Sequence, residues 1–408
     1  METIAKFNIF DIMNKKPTGE STENTMNNYF DKFHIGTYYF QKNARTEQGV
    51  KELSESGIDL VFCIDNDREM LDLFSKYGVS AVVAGVVPGW FGGNGDNAGT
   101  MADTNKREAY INGINAFVDH PAIVGIDAGD EPSSVDFPYY GQMIALMKEL
   151  APSKFPYLNI YPSYGMLAAN SDEQSKKELG TPDYKGYIDA YIKNIDLPYI
   201  SFDHYYLTSS RERLFSDLNT AAKSCKASGK ALFFIGQVNS LYPEHYVTEE
   251  ELALQAFAAL SHGAKMVSWA CYSMGWWNYN VLDEDGNKTE QYDKLKKINA
   301  NVRAIANDCF GFNWVETVRA NGIESHCCFK SIEVNNDALI GKFEKDGVCA
   351  ILVSPANCDA PEYEVTFTAE NGKTVYANNC GGKGKLISEN GTYKVTFKNT
   401  EACFITIE

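Results

Sequence analysis

The chain has no long hydrophobic run. Nowhere do apolar residues approach the ~20 in succession that a membrane-spanning helix needs. Its start, Met1 to Phe10, lacks a basic segment followed by an apolar core, so no secretory leader is expected. Basic charge is also scarce. Lys and Arg number 37 against 54 Asp and Glu, for a net charge of −17. With no cluster of Lys or Arg, that balance argues against nucleic acid and anionic membranes as partners, because both would repel the chain. The ten cysteines (63, 225, 271, 309, 327, 328, 349, 358, 380 and 403) contain no Cys-x-x-Cys pair. Free buried thiols and a reducing compartment are expected, hence a cytoplasmic protein, or a secreted one whose leader has been removed. The six histidines are scattered without a His-Glu-x-x-His motif. The sequence therefore gives no local support for a metal site, and no cofactor is implied. No Ser-His-Asp pattern surrounds Ser240 or Ser273, and no glycine-rich phosphate loop follows the late strands.

What is present is a large apolar content, 44% of 408 residues, with 24 Tyr and 23 Phe. Phe33 to Gln41 reads as a strand, Arg45 to Ser56 as a helix ending at Gly57, Ile58 to Asp65 as a strand, Arg68 to Tyr77 as a helix, and Val79 to Val87 as a strand. A helix over Asp103 to His120 precedes a fourth strand beginning at Ile123, and Val135 to Leu150 is the helix after it. The alternation continues through strands at Tyr157 to Tyr161, Tyr199 to Tyr206, Ala231 to Val238 and Met266 to Tyr272. The helices between and after them lie at Tyr184 to Asn194, Arg211 to Ala227, Thr248 to His262 and Glu290 to Ile305, the third of these opening on a Thr248/Glu251 capping box. Eight strand–helix units make a (β/α)8 barrel, an α/β fold, over residues 33–312. Residues 1–32, with Lys15-Lys16-Pro17, form a polar lead-in. From 313 to 408 the period falls to two, with turns at Asp346-Gly347, Asn371-Gly372 and Asn390-Gly391, which predicts a small C-terminal all-β sandwich.

In such a barrel, chemistry gathers at the carboxyl ends of the strands. Strand four ends in Asp130-Glu131-Pro132. Proline disfavours helical backbone before it, so Glu131 is expected to be extended and to project from the strand tip. The other strand ends supply Tyr38, Tyr39, Asp65, Trp90, Asn159, Tyr161, Asp203, His204, Tyr205, Gln237, Trp269 and Tyr272. Acids, amides and aromatics around one mouth suit a sugar-binding cleft better than a phosphate or metal site. Trp276-Trp277 either line an outer subsite or pack.

With these segments the chain resembles the glycoside hydrolases of the (β/α)8 superfamily called clan A. In particular it is similar to bacterial barrel hydrolases with a Gly-x-Asp-Glu-Pro segment, a Phe-Asp-His-Tyr strand and a Gln in strand seven. Here the first is Gly129-Asp130-Glu131-Pro132, without the intervening residue, and the others are Phe202-Asp203-His204-Tyr205 and Gln237. The likeness covers residues 33 to about 307. It implies that Glu131 is the general acid/base, with Asp130 where Asn is commoner. It also implies that His204 and Tyr205 serve as the strand-six pair, and that Trp269 floors the first sugar subsite.

One position departs from the clan. Its nucleophilic Glu ends strand seven, where this chain has Gln237, and an amide cannot attack an anomeric carbon. Three readings are open: an engineered Glu→Gln change that traps a ligand; a natural Gln, with another acid serving, Asp203 first; or a barrel that binds sugar without cleaving it. The expectation is a cofactor-independent glycosidase acting on a carbohydrate substrate, the alternative a catalytically silent carbohydrate-binding barrel.

Overall fold

The computed structural model describes residues 30–273 and 277–408. The lead-in up to residue 29, including Lys15-Lys16-Pro17, and Trp276 lie outside the described residues. Eight parallel strands follow one another in the order read from the sequence: β1 His34–Tyr38, β2 Leu60–Ile64, β3 Ser80–Val83, β4 Ile123–Asp130, β5 Phe155–Asn159, β6 Tyr199–Asp203, β7 Ala231–Gln237 and β8 Met266–Ala270. They are ordered β5-β4-β3-β2-β1-β8-β7-β6. The remaining seam, between β5 and β6, is closed by a bridge from Ile160 to Phe202 and by the Ile160 N–H donating to the Ser201 carbonyl at 2.9 Å. The ring is therefore a barrel, and its strands are buried on both faces, as near-continuous apolar runs require.

Sequence and structure agree closely on the helices, with two differences. The span expected as one helix, 103–120, is two: Met101–Thr104 and Arg107–Ala116. Asn105 breaks it, turning its side-chain amide to the Pro88 and Gly89 carbonyls while its own carbonyl accepts from Tyr139. The helix Asp172–Leu179 was not anticipated. It is mostly polar, and Ser171 caps it by accepting from the Gln174 N–H. The Thr248/Glu251 capping box is present at the helix Glu249–Ser261.

The two ends of the barrel differ. Phe30 packs against Phe155, Tyr199 and Phe233 with ring centroids 5.0, 6.2 and 5.1 Å away, sealing the end where these strands begin. Across the lumen Tyr38 is hydrogen-bonded to Tyr157, whose hydroxyl lies 2.9 Å from Ser201 Oγ. These side chains fill the interior, and a cavity opens above them, at the carboxyl ends.

Past the last barrel helix, Glu290–Cys309, come two antiparallel sheets. One is a six-stranded sheet of β9 Asn313–Arg319, β12 Ala338–Lys345, β13 Val348–Pro355, β15 Val375–Asn378, β16 Lys383–Lys385 and β18 Cys403–Ile407. The other is a four-stranded sheet of β10 Glu324–His326, β11 Phe329–Val334, β14 Glu362–Ala369 and β17 Thr392–Lys398. Ile340, Ile351, Val353 and Ile405 face the second sheet, while Leu339, Phe343, Leu352 and Phe404 join the core of the barrel helices. The six-stranded sheet is thus covered on both faces. The docking is close: Ser261 Oγ lies 2.9 Å from Ser354 Oγ, and the Trp314 indole donates to the Ser261 carbonyl at 3.1 Å.

Gly341 marks the tightest point of this docking, since a Cβ there would stand 2.3 Å from the Ser261 carbonyl oxygen. Gly341→Ala is expected to lower the urea midpoint, at a cost of about 1–3 kcal/mol for overpacking. An unchanged midpoint in equilibrium unfolding would show that the sheet is not pressed against that helix.

Candidate active site

A cavity of about 580 Å³ opens at the carboxyl ends of the strands. It is lined by Tyr38, Tyr39, Cys63, Phe91, Asp130, Glu131, Asn159, Asp203, Tyr205 and Trp277, with Met166, Leu167 and Leu241 also around it. Of the residues expected at a site, seven meet here: Tyr38, Tyr39, Asp130, Glu131, Asn159, Asp203 and Tyr205.

Glu131 is held by its backbone. The strand runs to Asp130, whose N–H donates to the Trp90 carbonyl at 2.8 Å, and the Glu131 N–H donates to the Asn159 carbonyl at 3.0 Å. Glu131 itself is left-handed at φ 46°, not extended as its proline neighbour implies. The two backbone bonds and the segment at Gly92, where a Cβ would stand 1.8 Å from the Glu131 carbonyl oxygen, hold the turn. Tyr39 (φ 57°) and Cys63 (φ 56°) are left-handed as well. Three lining residues thus carry backbone strain of about 1–3 kcal/mol each, held by the surrounding fold.

The side chains form one network. The Asn159 amide donates to Asp203 Oδ1 at 2.7 Å and to Asp130 Oδ1 at 3.2 Å, and its oxygen accepts from Ser201 at 3.2 Å. Glu131 is hydrogen-bonded to Asp203, and Tyr205 donates to Asp203. Among the described residues, no Lys or Arg lines the cavity. Burial first, then the charges of Asp203, Asp130 and Glu178, push the Glu131 carboxyl well above its usual range. Burial also pushes Asp130 up to about 6, against the Asn159 hydrogen bond. It pushes Asp203 up to about 7, with Asp130 adding to the rise. Of the three acids Glu131 is thus the one most strongly disposed to hold its proton.

Seven expected site residues lie elsewhere. Asp65 is exposed and ion-paired with Arg45 at 2.6 Å. Tyr161 is buried and donates to the Gly93 carbonyl at 2.6 Å, and Trp90 is half-buried behind Phe91, which takes the rim position. His204 follows Asp203 on the strand and so points outward, to 3.5 Å from Asp217. Burial and then Arg213 drop its imidazole to about 3, so it is neutral. Trp269 does not floor a subsite: its indole donates to Asn299 Oδ1 at 2.8 Å on the helix Glu290–Cys309, outside the barrel wall. Tyr272 is wholly buried beside Phe40. Gln237 is wholly buried, its oxygen accepting from the Leu207 N–H and its amide donating to the Asn239 carbonyl, each at 3.1 Å. A carboxylate there would set its oxygen against the Asn239 carbonyl, so the amide suits its surroundings. Of the lining residues that sequence reasoning missed, Phe91, Met166, Leu167 and Leu241 come from loops, where no periodicity marks them, while Cys63, Ile235 and Ala270 lie within strands whose pattern reads only as core. Trp277, left open between an outer subsite and packing, lines the cavity and meets Tyr205 edge-on at 5.2 Å.

No family model matches the chain, and no curated protein matches it in sequence. Solved structures share its fold. A family 39 glycoside hydrolase from Bacteroides cellulosilyticus WH2 is 11% identical, covering 93% of this chain and 81% of its own, with a TM-score of 0.51. An α-amylase from Anoxybacillus, described as a new glycosyl hydrolase subclass, is 9% identical over 93% of this chain and 98% of its own, with a TM-score of 0.52. A maltogenic α-amylase from Thermotoga neapolitana is 10% identical over 93% and 99%, with a TM-score of 0.51. At these identities the likeness is one of fold, a (β/α)8 barrel followed by antiparallel β-structure.

An acid raised above its usual value holds its proton more tightly folded than unfolded. The site therefore favours the native state below the ordinary carboxyl range of about 4, and that contribution is lost as the pH rises through about 6 and 7. Asp203→Asn is expected to raise the thermal midpoint at pH 8 by several degrees and to leave it almost unmoved at pH 4. An equal shift at both pH values in a calorimetric series would refute the strained-acid account.

Proposed function

We propose that the chain is a cofactor-independent glycoside hydrolase acting on a neutral or weakly charged glycoside or oligosaccharide, with the barrel, residues 33–312, as its catalytic unit. One observation carries this reading: Glu131 is a buried carboxylic acid, pushed well above its usual range, that faces a second buried carboxyl, Asp203, in a cavity walled by Phe91, Tyr205 and Trp277. That pairing supplies the two functions glycoside cleavage needs. Glu131 donates its proton to the departing glycosidic oxygen, and Asp203, as the more acidic partner, supports positive charge at the anomeric carbon or attacks it. A sugar ring entering between them parts their hydrogen bond and frees both for these roles. Flat ring faces stack on aromatic walls, and Asp130, Asn159 and Tyr39 offer polar atoms to sugar hydroxyls.

The fold neighbours named as glycoside or glycosyl hydrolases are in keeping with this reading. The strand-seven amide favours a second reading. If the chemistry needs a carboxylate at position 237, the barrel binds carbohydrate without cleaving it.

A panel of aryl glycosides decides between the two. Glu131→Gln is expected to cut kcat/KM by about 10²–10⁴ on substrates with poor leaving groups and far less on activated ones, because only the former need a proton donor. The alkaline limb of the wild-type pH profile, where Glu131 ionises, disappears in that variant. Undiminished turnover of a poor leaving group by Glu131→Gln would remove Glu131 from the mechanism. Tight retention of intact oligosaccharide without release of reducing sugar would establish the silent barrel.

A further inference from the structure

Far from the cavity, at one end of the paired sheets, the turn joining β10 to β11 is made of two cysteines. His326 pairs with Phe329, so Cys327 and Cys328 make the reversal, and Cys327 takes φ 46°. Gly, Asn or Asp normally fills such a position. A cysteine there gives up local comfort, and what surrounds it is a set of donor atoms. Cys327 Sγ lies 3.0 Å from Glu344 Oε1, and 3.6 and 3.7 Å from Nδ1 and Nε2 of His326. It is also within hydrogen-bonding reach of Cys349, whose Sγ is 3.3 Å from that of Cys328. The antiparallel pairing of Glu344 with Cys349 across β12 and β13 brings both beside the turn.

The histidine's tautomer is fixed. One ring nitrogen, Nε2, is 3.0 Å from the Phe343 carbonyl oxygen. A carbonyl only accepts, so Nε2 carries the ring proton and Nδ1 keeps its lone pair. A backbone carbonyl fixes the tautomer of metal-binding histidines in this way.

We propose that His326, Cys327 and Glu344, with Cys328 or Cys349 as fourth ligand, form a site for a borderline-soft divalent ion of the zinc(II) class. Thiolate with imidazole selects such ions over magnesium or calcium. A tetrahedral zinc ion with sulfur at about 2.3 Å and nitrogen at about 2.0 Å spaces its ligand atoms about 3.5–3.8 Å apart. The donor contacts of 3.0–3.6 Å here are near that spacing before any ion binds. His326, Cys327 and Glu344 offer ligand atoms all within 4.8 Å of one another. Without an ion the thiols stay protonated. Burial, then Glu344 and Cys349, push Cys327 up to about 12, and contact with Cys349, then burial, takes Cys328 up to about 11. The ion displaces those protons to solvent as the S–H bonds give way to metal–sulfur bonds, with no change of oxidation state.

The left-handed turn makes a discriminating test possible. Cys327→Gly removes one ligand while giving the backbone the residue it favours, so the metal-free variant is expected to unfold no earlier than the wild type. The reduced full chain is titrated with zinc(II) against a chromophoric chelator, and with cobalt(II) to read thiolate-to-metal absorption. The expected result is one ion per chain, proton release, and a thermal midpoint raised by zinc. Cys327→Gly and His326→Gln should each lose at least about tenfold in affinity, and Cys380→Ser should lose none. The proposal is overturned if the wild type takes up no ion. It is likewise overturned if Cys327→Gly binds as tightly as the wild type, or if peptide mapping of unreduced protein shows Cys328 and Cys349 joined as a disulfide.

Discussion

Three carboxyl groups, Asp130, Glu131 and Asp203, share one buried space that no cationic side chain among the described residues lines. They cannot all be ionised at once, so protons must remain among them. The local architecture serves that condition. Asn159 bridges two of the acids with one amide group, and its backbone carbonyl holds the third residue's N–H. It does so from the last residue of β5, at the seam where the ring of strands is closed by the bridge from Ile160 to Phe202. Closure of the barrel and assembly of the acid cluster therefore depend on the same few residues.

The division of labour among the acids follows from their neighbours. Asp203 has two hydrogen-bond donors, Asn159 and Tyr205, and Asp130 has Asn159. Glu131 faces Asp203 and lies near the charges of Asp130 and Glu178. The group with the fewest donors is the one pushed furthest above its usual range. Similar carboxyl groups are thus set apart by the company the fold gives them, which is how a pair of titrating groups acquires an acid and a base role.

Much of the fold was legible because the barrel writes two periods into its sequence. Apolar strands such as Phe233-Phe234-Ile235 alternate with helices whose ends carry local signals, and Arg68–Tyr77 and Tyr184–Asn194 begin and end as expected. The site was only half legible, for a related reason. A strand alternates its faces, and sequence does not say which of two neighbours points inward. Asp203 and His204 are adjacent, yet one lines the cavity and the other faces Asp217. Trp269 likewise ends its strand facing the helices, with its indole taken by Asn299. Phe91 and Leu241 come from connections without periodicity, and the cysteine-histidine cluster at 326–349 unites β10, the turn after it, β12 and β13, so no local motif exposes it.

The six-stranded sheet has apolar contacts on both faces, to the barrel helices through Leu339, Phe343, Leu352 and Phe404, and to the second sheet through Ile340, Ile351 and Ile405. A layer clamped from both sides has no face to shed first. Its amides are then the last to trade hydrogen for deuterium, and barrel and appendage melt as a single cooperative unit.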